Sequence, residues 1–377
     1  MAGSTFGTHF KITTCGESHG KGIGVIVDGC PAGLPLEQTD IQAFLNRRKP
    51  GQSRYSTQRK EADAVEILSG VFEGKTTGTP ISLIVFNQDQ NSRDYGDIAS
   101  YYRPGHADYT FDMKYGFRDY RGGGRSSGRE TIGRVAGGAI AAKILDHLGI
   151  SFLTYTRSIG PISISKSPEE LLAQNSLKAS SSILSNPLYM PEEAACTEAQ
   201  KFLETCMEHK DSAGGVIECI ITGVPAGIGE PVFDKLDAAL AKAIFSIGAV
   251  KGFEIGDGFA AAALLGSENN DNFEMKNNIP VLSTNHAGGI LGGISNGMPI
   301  IFRTAIKPTP SIASIQNTVN KNGENIEISI HGRHDPVIVP RAVVVVESMA
   351  ALTLLDLMME HMGSQLNYLK QLYSHEQ

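Results

Sequence analysis

The sequence predicts an α+β fold, with strands and helices in shared layers and no regular β-α-β alternation. Three observations carry this. Strand-like runs in the first third are short and separated by glycine turns. A strongly patterned helix follows Ser127. Beyond it, helical and strand-like segments succeed one another irregularly, which disfavours a doubly wound sheet. No repeat at a fixed period is visible.

In chain order, 23–27 reads as a strand ending at Asp28-Gly29, and 39–47 as a short helix. Residues 64–68 and 81–86 read as strands around a turn between Gly74 and Gly78. Residues 87–125 show no clear period and read as one long loop, which in a compact protein is either functional or disordered. Tyr95, Tyr101, Tyr102, Tyr109 and Phe111 argue against disorder. Ser127 and Glu130 form an S-x-x-E capping box. Ile132, Val135, Ala139, Ile140, Ile144 and Leu148 then recur at helical spacing, and Gly149 supplies the C-cap. Gly133 and Gly137 lie four apart, so a neighbouring element can approach one face closely. Residues 163–187 are Ser-rich and read as a surface excursion. An amphipathic helix over 191–209, a strand over 215–222 and a helix over 233–245 follow. Residues 266–279 read as an exposed loop, and 348–372 as a helix with Met349, Leu352, Leu355, Met359 and Met362 on one stripe.

Composition narrows the function. The length of 377 residues by itself suggests two domains. The net charge of -7 disfavours a dedicated nucleic-acid binder, which is normally basic. Positive charge is instead concentrated in two groups: Arg47, Arg48, Lys49, Arg54, Arg59 and Lys60, and then Arg103, Arg118, Arg121, Arg125, Arg129 and Arg134. An acidic chain with two such clusters reads as a binder of small anions. Cys15, Cys30, Cys196, Cys206 and Cys219 are odd in number and form no C-x-x-C pair. Disulfides and a zinc site are therefore not expected, and a reducing compartment, the cytoplasm, is. The first twenty positions lack an apolar signal core. The most apolar stretch, 337–359, is broken by Pro340, Arg341, Glu347 and Asp356 and reads as too polar to span a membrane.

Several constellations carry chemistry. In Gly16-Glu17-Ser18-His19-Gly20, His19 sits in an open glycine turn, where histidine can donate a proton near neutral pH or simply face water. In Arg103-Pro104-Gly105-His106-Ala107-Asp108, His106 is either a second acid–base group or a structural partner of Asp108. The run R-G-G-G-R-S-S-G-R-E-T over 121–131 brings glycines, serines and arginines to a helix start, where unpaired N–H groups favour anions. It lacks the G-K-[ST] ending of a P-loop. Arg333-His334-Asp335-Pro336 places an Arg and an Asp two apart, for substrate anchoring beside a base or for a buried ion pair. Asn285 to Gly289, Gly292-Gly293 and Lys307-Pro308-Thr309-Pro310-Ser311 could line a flat or anionic ligand. No G-x-G-x-x-G stands in a strand–turn–helix setting.

Taken together these motifs resemble the chorismate synthase family, from Gly7 to about Met359. The runs 16–20, 121–131 and 333–336 are similar to its three characteristic regions, in order and at the expected separations. Arg47-Arg48-Lys49-Pro50-Gly51, Ser53-Arg54-Tyr55 and 103–109 also match.

The resemblance implies one domain over 1–377, a β-α-β sandwich with central helices between antiparallel sheets, and a homotetramer. It implies a carbon–oxygen lyase that converts 5-enolpyruvylshikimate 3-phosphate to chorismate by 1,4-anti elimination. Reduced FMN is required without net redox change. By the same resemblance, His19 protonates the leaving phosphate, His106 acts near flavin N1 and O2, and Asp335 serves through flavin N5 in removing the ring hydrogen. Arg48, Arg54, Ser127, Arg129, Lys307 and Arg333 hold substrate anions. Arg125, Ser126, Ser127, Gly248, Ala249, Gly292, Lys307, Pro308, Thr309, Pro310, Ser311 and Arg333 fall where the family contacts FMN. Three residues depart from the pattern: Gly128 stands for Ala, Gly248 for Asn, and Pro310 for Ser. No metal, nucleic acid or membrane partner is implied.

Some family members reduce their own flavin with NADPH. This chain has no segment to house that function, so an external flavin reductase is expected to supply it. Arg48→Ala is expected to weaken substrate binding by about 1–3 kcal/mol and leave stability nearly unchanged. A flavin-dependent oxidoreductase and an RNA-binding protein are the rival readings.

Overall fold

The computed structural model describes residues 3–57, 61–88, 97–174, 183, 185–330 and 335–374. Of the residues singled out above, Arg59, Lys60, Tyr95, Arg333 and His334 lie outside these. The first antiparallel sheet contains β1 (Thr5–Phe6), β2 (Lys11–Gly16), β3 (Gly22–Asp28), β4 (Val65–Ile67) and β5 (Ile81–Phe86), in the order β1-β2-β3-β5-β4. The second contains β6 (Ser151–Ile159), β7 (Ile162–Ser163), β8 (Gly215–Thr222), β9 (Val250–Ile255) and β10 (Ile300–Ile306), in the order β9-β10-β8-β6-β7. In helix order, α1 is Gln38–Arg48, α2 Asp108–Tyr115, α3 Thr131–His147, α4 Pro168–Ala173, α5 Glu193–Glu208, α6 Leu236–Phe245, α7 Val339–His361 and α8 Leu366–Tyr373.

Helices α3 and α7 pack on each other between the two sheets, α3 against β2 and β3 and α7 against β6 and β8. This is the predicted α+β sandwich. The same order occurs twice: β2, β3, α1, β4, β5, α3 in the first half and β6, β8, α6, β9, β10, α7 in the second. The sequence hides this duplication because no residue pattern repeats, only the order of layers.

Glycines set the spacing of the helix layer. A Cβ on Gly133 would lie 2.9 Å from Thr14 Cγ2 and one on Gly137 2.8 Å from Ile12 Cγ2, so α3 lies almost on β2. On its other side a Cβ on Gly138 would come within 2.3 Å of Ser348 Cβ on α7. Gly138→Ala is therefore expected to destabilise the protein by about 1–3 kcal/mol through overpacking, read as a lowered melting temperature. An unchanged melting temperature would mean that the two helices part easily.

Helix α3 ends in a Schellman pair: Gly149 N–H donates to Asp146 O at 2.9 Å and Ile150 N–H to Leu145 O at 3.0 Å, with Gly149 left-handed at φ 78°. Its start differs from the predicted capping box. Ser127 accepts from Arg129 N–H at the head of a 3-10 turn, Gly128–Glu130, and α3 begins only at Thr131. The Glu130 carboxylate does not reach back to the cap. It accepts from Thr14 Oγ1 at 3.0 Å and from Arg134 Nε at 2.8 Å.

Other expectations need correction. Residues 87–125 are not one loop: they contain a 3-10 turn, Asp97–Ser100, and α2. The excursion over 163–187 is tied down by a capping box at Ser167 and Glu170 on α4 and by buried Ile164, Leu171 and Ile183. Residues 266–279 are exposed but ordered, as a helical turn Gly266–Asn269 and a hairpin pairing Phe273–Lys276 with Ile279–Leu282. Its Asn277-Asn278 turn has positive φ at both residues, as a two-residue hairpin turn requires.

The last long helix starts at Val339, nine residues before the predicted 348, and stops at His361, with α8 separate. By length and composition α7 is apolar enough to cross a membrane, contrary to the sequence expectation, but 78% of that stretch is buried inside the protein. The charges that seemed to break it are satisfied internally. Glu347 accepts two hydrogen bonds of 2.7 Å from Arg47, and Asp356 accepts from the backbone N–H groups of Thr8, His9 and Phe10.

Candidate active site

The first arginine group is organised by a residue the sequence did not single out. Asp63, fully buried and left-handed at φ 47°, accepts from Arg48 Nη2 at 2.7 Å and from Arg129 Nη1 at 2.9 Å. Aspartate tolerates that backbone conformation better than most residues. Burial works to raise the Asp63 pKa, but the two guanidinium groups outweigh it and hold the carboxyl below its ordinary value. Burial in turn pulls Arg48 down to about 10, against the opposing attraction of Asp63. Arg48 also donates to Gly128 O at 3.2 Å and Thr131 Oγ1 at 3.4 Å, and its side chain is only 2% exposed. It is thus enclosed, not a free fork facing solvent. Arg54 is the accessible member: it pairs with Glu204 and donates to Tyr55 Oη at 2.8 Å.

Arg129 extends the network toward the first histidine. Its Nε donates to Asn87 Oδ1 at 2.6 Å, and its Nη2 meets Glu61 at 3.3 Å. The Asn87 amide donates to the carbonyls of Glu17 at 2.9 Å and Gly20 at 2.8 Å, fixing the turn that carries His19. His19 Nδ1 lies 3.2 Å from Ser18 Oγ. A Cβ on Gly122 would come within 2.4 Å of the His19 ring, so the glycine run packs directly on the imidazole. Arg125 Nη2 donates to Thr14 Oγ1 at 2.5 Å, and Ser126 Oγ to Gly123 O at 2.7 Å.

His106 is not the partner of Asp108. Asp108 is taken by Arg103, which donates to it from its backbone N–H at 3.0 Å, Nε at 2.8 Å and Nη2 at 2.8 Å, closing the loop around His106. Arg103 Nη2 also reaches Gly122 O at 3.4 Å, which joins the two histidine loops. His106 Nδ1 lies 2.9 Å from Pro104 O and Nε2 2.9 Å from Ser311 Oγ. A carbonyl only accepts, so Nδ1 carries hydrogen, and the serine hydroxyl can donate to Nε2. Lys307 Nζ donates to Gly105 O at 2.9 Å, and Pro310 packs against Gly105. The loops 103–106 and 307–311 are therefore one structure.

Asp335 joins the same surface. Its Oδ1 accepts Thr57 N–H at 2.8 Å and its Oδ2 accepts Arg341 Nη1 at 2.7 Å. Arg341 Nε donates to Arg48 O at 3.0 Å. The ion-pair partner of Asp335 in the structure is thus Arg341, while Arg333 lies outside the described residues. Next to Asp335, Pro336 O accepts Ala213 N–H at 2.9 Å, and neighbouring Ser212 donates to Thr309 O at 2.7 Å. His19, His106, Asp335 and the arginine network lie on one continuous set of hydrogen-bonded loops.

The positions matched to FMN divide. Among the described residues the Lys307 ammonium donates to Gly105 O and meets no carboxylate. Thr309 Oγ1 is buried without a hydrogen-bond partner among them. A Cβ at Gly248 or Gly128 would meet nothing within 4 Å, so both departures leave room. The Lys307 N–H donates to Ala249 O at 2.9 Å, which holds 248–249 against 307–311. A cation without a carboxylate partner and a hydroxyl without a hydrogen-bond partner, both among the described residues, fit an anionic group. Gly292 is placed elsewhere. It is next to Gly293, which packs on Lys235 at the start of α6, while Gly248 lies beyond the end of that helix. Ten helical residues separate them by roughly 15 Å. Among the described residues no group of His, Cys, Asp and Glu could hold a metal ion.

Known proteins resemble the chain over nearly its whole length. The family model for chorismate synthase matches residues 10–359. A chorismate synthase of Lachnoclostridium phytofermentans is 67% identical over 376 residues, covering 99% of this chain and 100% of that protein. One of Agathobacter rectalis is 63% identical, covering 99% of each. A crystal structure of chorismate synthase aligns with a TM-score of 0.77 at 32% identity, covering 97% of this chain and 96% of that one. The chain belongs to the chorismate synthase family.

Proposed function

We infer that this protein is a chorismate synthase, a carbon–oxygen lyase acting on 5-enolpyruvylshikimate 3-phosphate in a single 377-residue domain. The observation that carries the reading is the convergence of two histidines, one aspartate and several arginines on one loop surface. In the elimination one C–H bond breaks, its electron pair becomes a new C=C bond, the existing double bond shifts, and phosphate leaves with the C–O pair. Reduced FMN, when bound, supplies an electron-rich ring that favours an electron-poor transition state.

The chain's own groups do the rest. His19 donates a proton to the leaving phosphate, from a turn fixed by Asn87 and Gly122. Asp335 is the carboxylate for the departing ring proton. His106 presents Nε2, oriented by Pro104 and Ser311. Arg54, Lys307, Arg333, Ser127 and Arg129 hold the two carboxylates and the phosphate of the substrate, and Arg48 adds charge from behind. Arg125, Ser126, Ser127, Gly248, Ala249, Lys307, Pro308, Thr309, Pro310, Ser311 and Arg333 hold FMN. Gly292 contacts FMN as well, in a homotetramer. The setting is the cytoplasm.

Reduced flavin comes from an external flavin reductase. Purified protein with oxidised FMN and NADPH, without oxygen, is expected to form no chorismate. Dithionite or photoreduced FMN is expected to start turnover. Robust activity on NADPH and oxidised FMN alone would refute the external supply, and no product with reduced FMN would refute the activity.

A further inference from the structure

Arg341 has no role in the mechanism above, yet it is the side chain that grips Asp335. It stands in the first turn of α7, just after Pro340. Its Nη1 donates to Asp335 Oδ2 at 2.7 Å, and its Nε donates to Arg48 O at 3.0 Å. The second bond fixes the plane of the guanidinium, so the first has a defined direction. Asp335 Oδ1 is fixed independently by Thr57 N–H at 2.8 Å. Two donors from separate segments thus hold the carboxylate at both oxygens. The pair is only 22% and 12% exposed, so it is not an ordinary solvated ion pair. Nor does it serve to anchor α7, whose residues from Val343 to Leu355 are buried throughout.

The remaining edge of Arg341 points to catalysis too. Among the described residues its Nη2 makes no hydrogen bond. Arg341 borders a cavity of about 200 Å³ together with Ser53, Tyr55, Ser56 and Tyr189. Ser53 and Tyr55 flank Arg54, and Ser56 precedes Thr57, so the cavity adjoins the proposed site. A proton-accepting group must be held close to its productive geometry by its surroundings, and a misplacement near 1 Å can cost about 100-fold in rate.

We propose that Arg341 is a positioning residue for Asp335: it keeps the carboxylate aimed, with its own plane set by the backbone of Arg48. The proposal rests on the reading of Asp335 as the proton-accepting carboxylate. Single-turnover chorismate formation with photoreduced FMN tests it, in Arg341→Gln, Arg341→Lys, Asp335→Asn and the double variant Arg341→Gln/Asp335→Asn. Arg341→Gln is expected to slow the step by about 100-fold, with substrate affinity, measured by equilibrium dialysis, close to wild type. Arg341→Lys keeps the charge but not the fork, and is expected to recover part of the rate. In the Asp335→Asn background Arg341→Gln is expected to add nothing, because both act on one group.

An equal further loss in that background would overturn the proposal, as would a loss confined to substrate affinity. A slow Asp335→Asn beside an Arg341→Gln at wild-type rate overturns this proposal alone. Wild-type rates in Asp335→Asn remove the assignment of Asp335 itself. If Arg341→Gln does not fold, Arg341→Lys decides: a reduced rate with retained affinity supports positioning, and a wild-type rate contradicts it.

Discussion

Replacing Arg48 by alanine is expected to lower unfolding stability by about 3–5 kcal/mol, the loss typical of a buried ion pair deprived of one partner. The sequence suggested the opposite, since no acidic run lies near Arg48. The structure supplies the reason for the change. Asp63, with no exposure, would be left with Arg129 alone, and Gly128 O and Thr131 Oγ1 would lose their donor. Urea unfolding of Arg48→Ala and Asp63→Asn measures this. Both are expected to lose most of the coupling, and the double variant Arg48→Ala/Asp63→Asn is expected to lose less than the sum. Wild-type stability in Arg48→Ala would mean that the guanidinium is not held as described.

The second large effect is on rate. Asp335→Asn keeps the shape of the side chain, and its amide oxygen can still accept from Thr57 or Arg341. What it loses is the negative charge that receives the ring proton in the proposed mechanism. Single-turnover chorismate formation is expected to fall by orders of magnitude while FMN and substrate still bind. A rate within a factor of a few of wild type would take Asp335 out of the proton path.

Much of the fold was legible because its signals are local. Ile132 to Leu148 kept their helical period, and Gly133 and Gly137 marked the face that meets β2. The strands over 23–27, 81–86 and 215–222 were bounded by turn residues and appear within a residue of their expected ends. What was missed depends on distant partners. Glu347 and Asp356 looked like breaks in an apolar run until Arg47 and the N-terminal backbone satisfied them. Glu130 was spent on Thr14 and Arg134, so the capping box never closed. The Asn277-Asn278 hairpin did carry a local signal, and the asparagine pair could have revealed it.

The site divides in the same way. Motifs singled out both histidines and Asp335, because glycine and proline turns mark where a backbone can open to a ligand, and the structure places all three on linked loops. Asp63 and Arg341 were invisible, since a single aspartate or arginine in an ordinary stretch gives no hint that it will meet Arg48 from elsewhere in the chain. The sequence left open whether Asp108 pairs with His106, and its carboxylate is taken by another residue. Arg103, five residues away, makes three hydrogen bonds to it.

The proposed elimination uses reduced flavin without consuming it. Its most direct test is stoichiometry, with a limited amount of photoreduced FMN, no oxygen and excess 5-enolpyruvylshikimate 3-phosphate. Chorismate, inorganic phosphate and the flavin spectrum are followed together. The expected result is one phosphate per chorismate over many turnovers, with the flavin still reduced at the end. Flavin oxidised in step with product would contradict the elimination and identify an oxidoreductase instead.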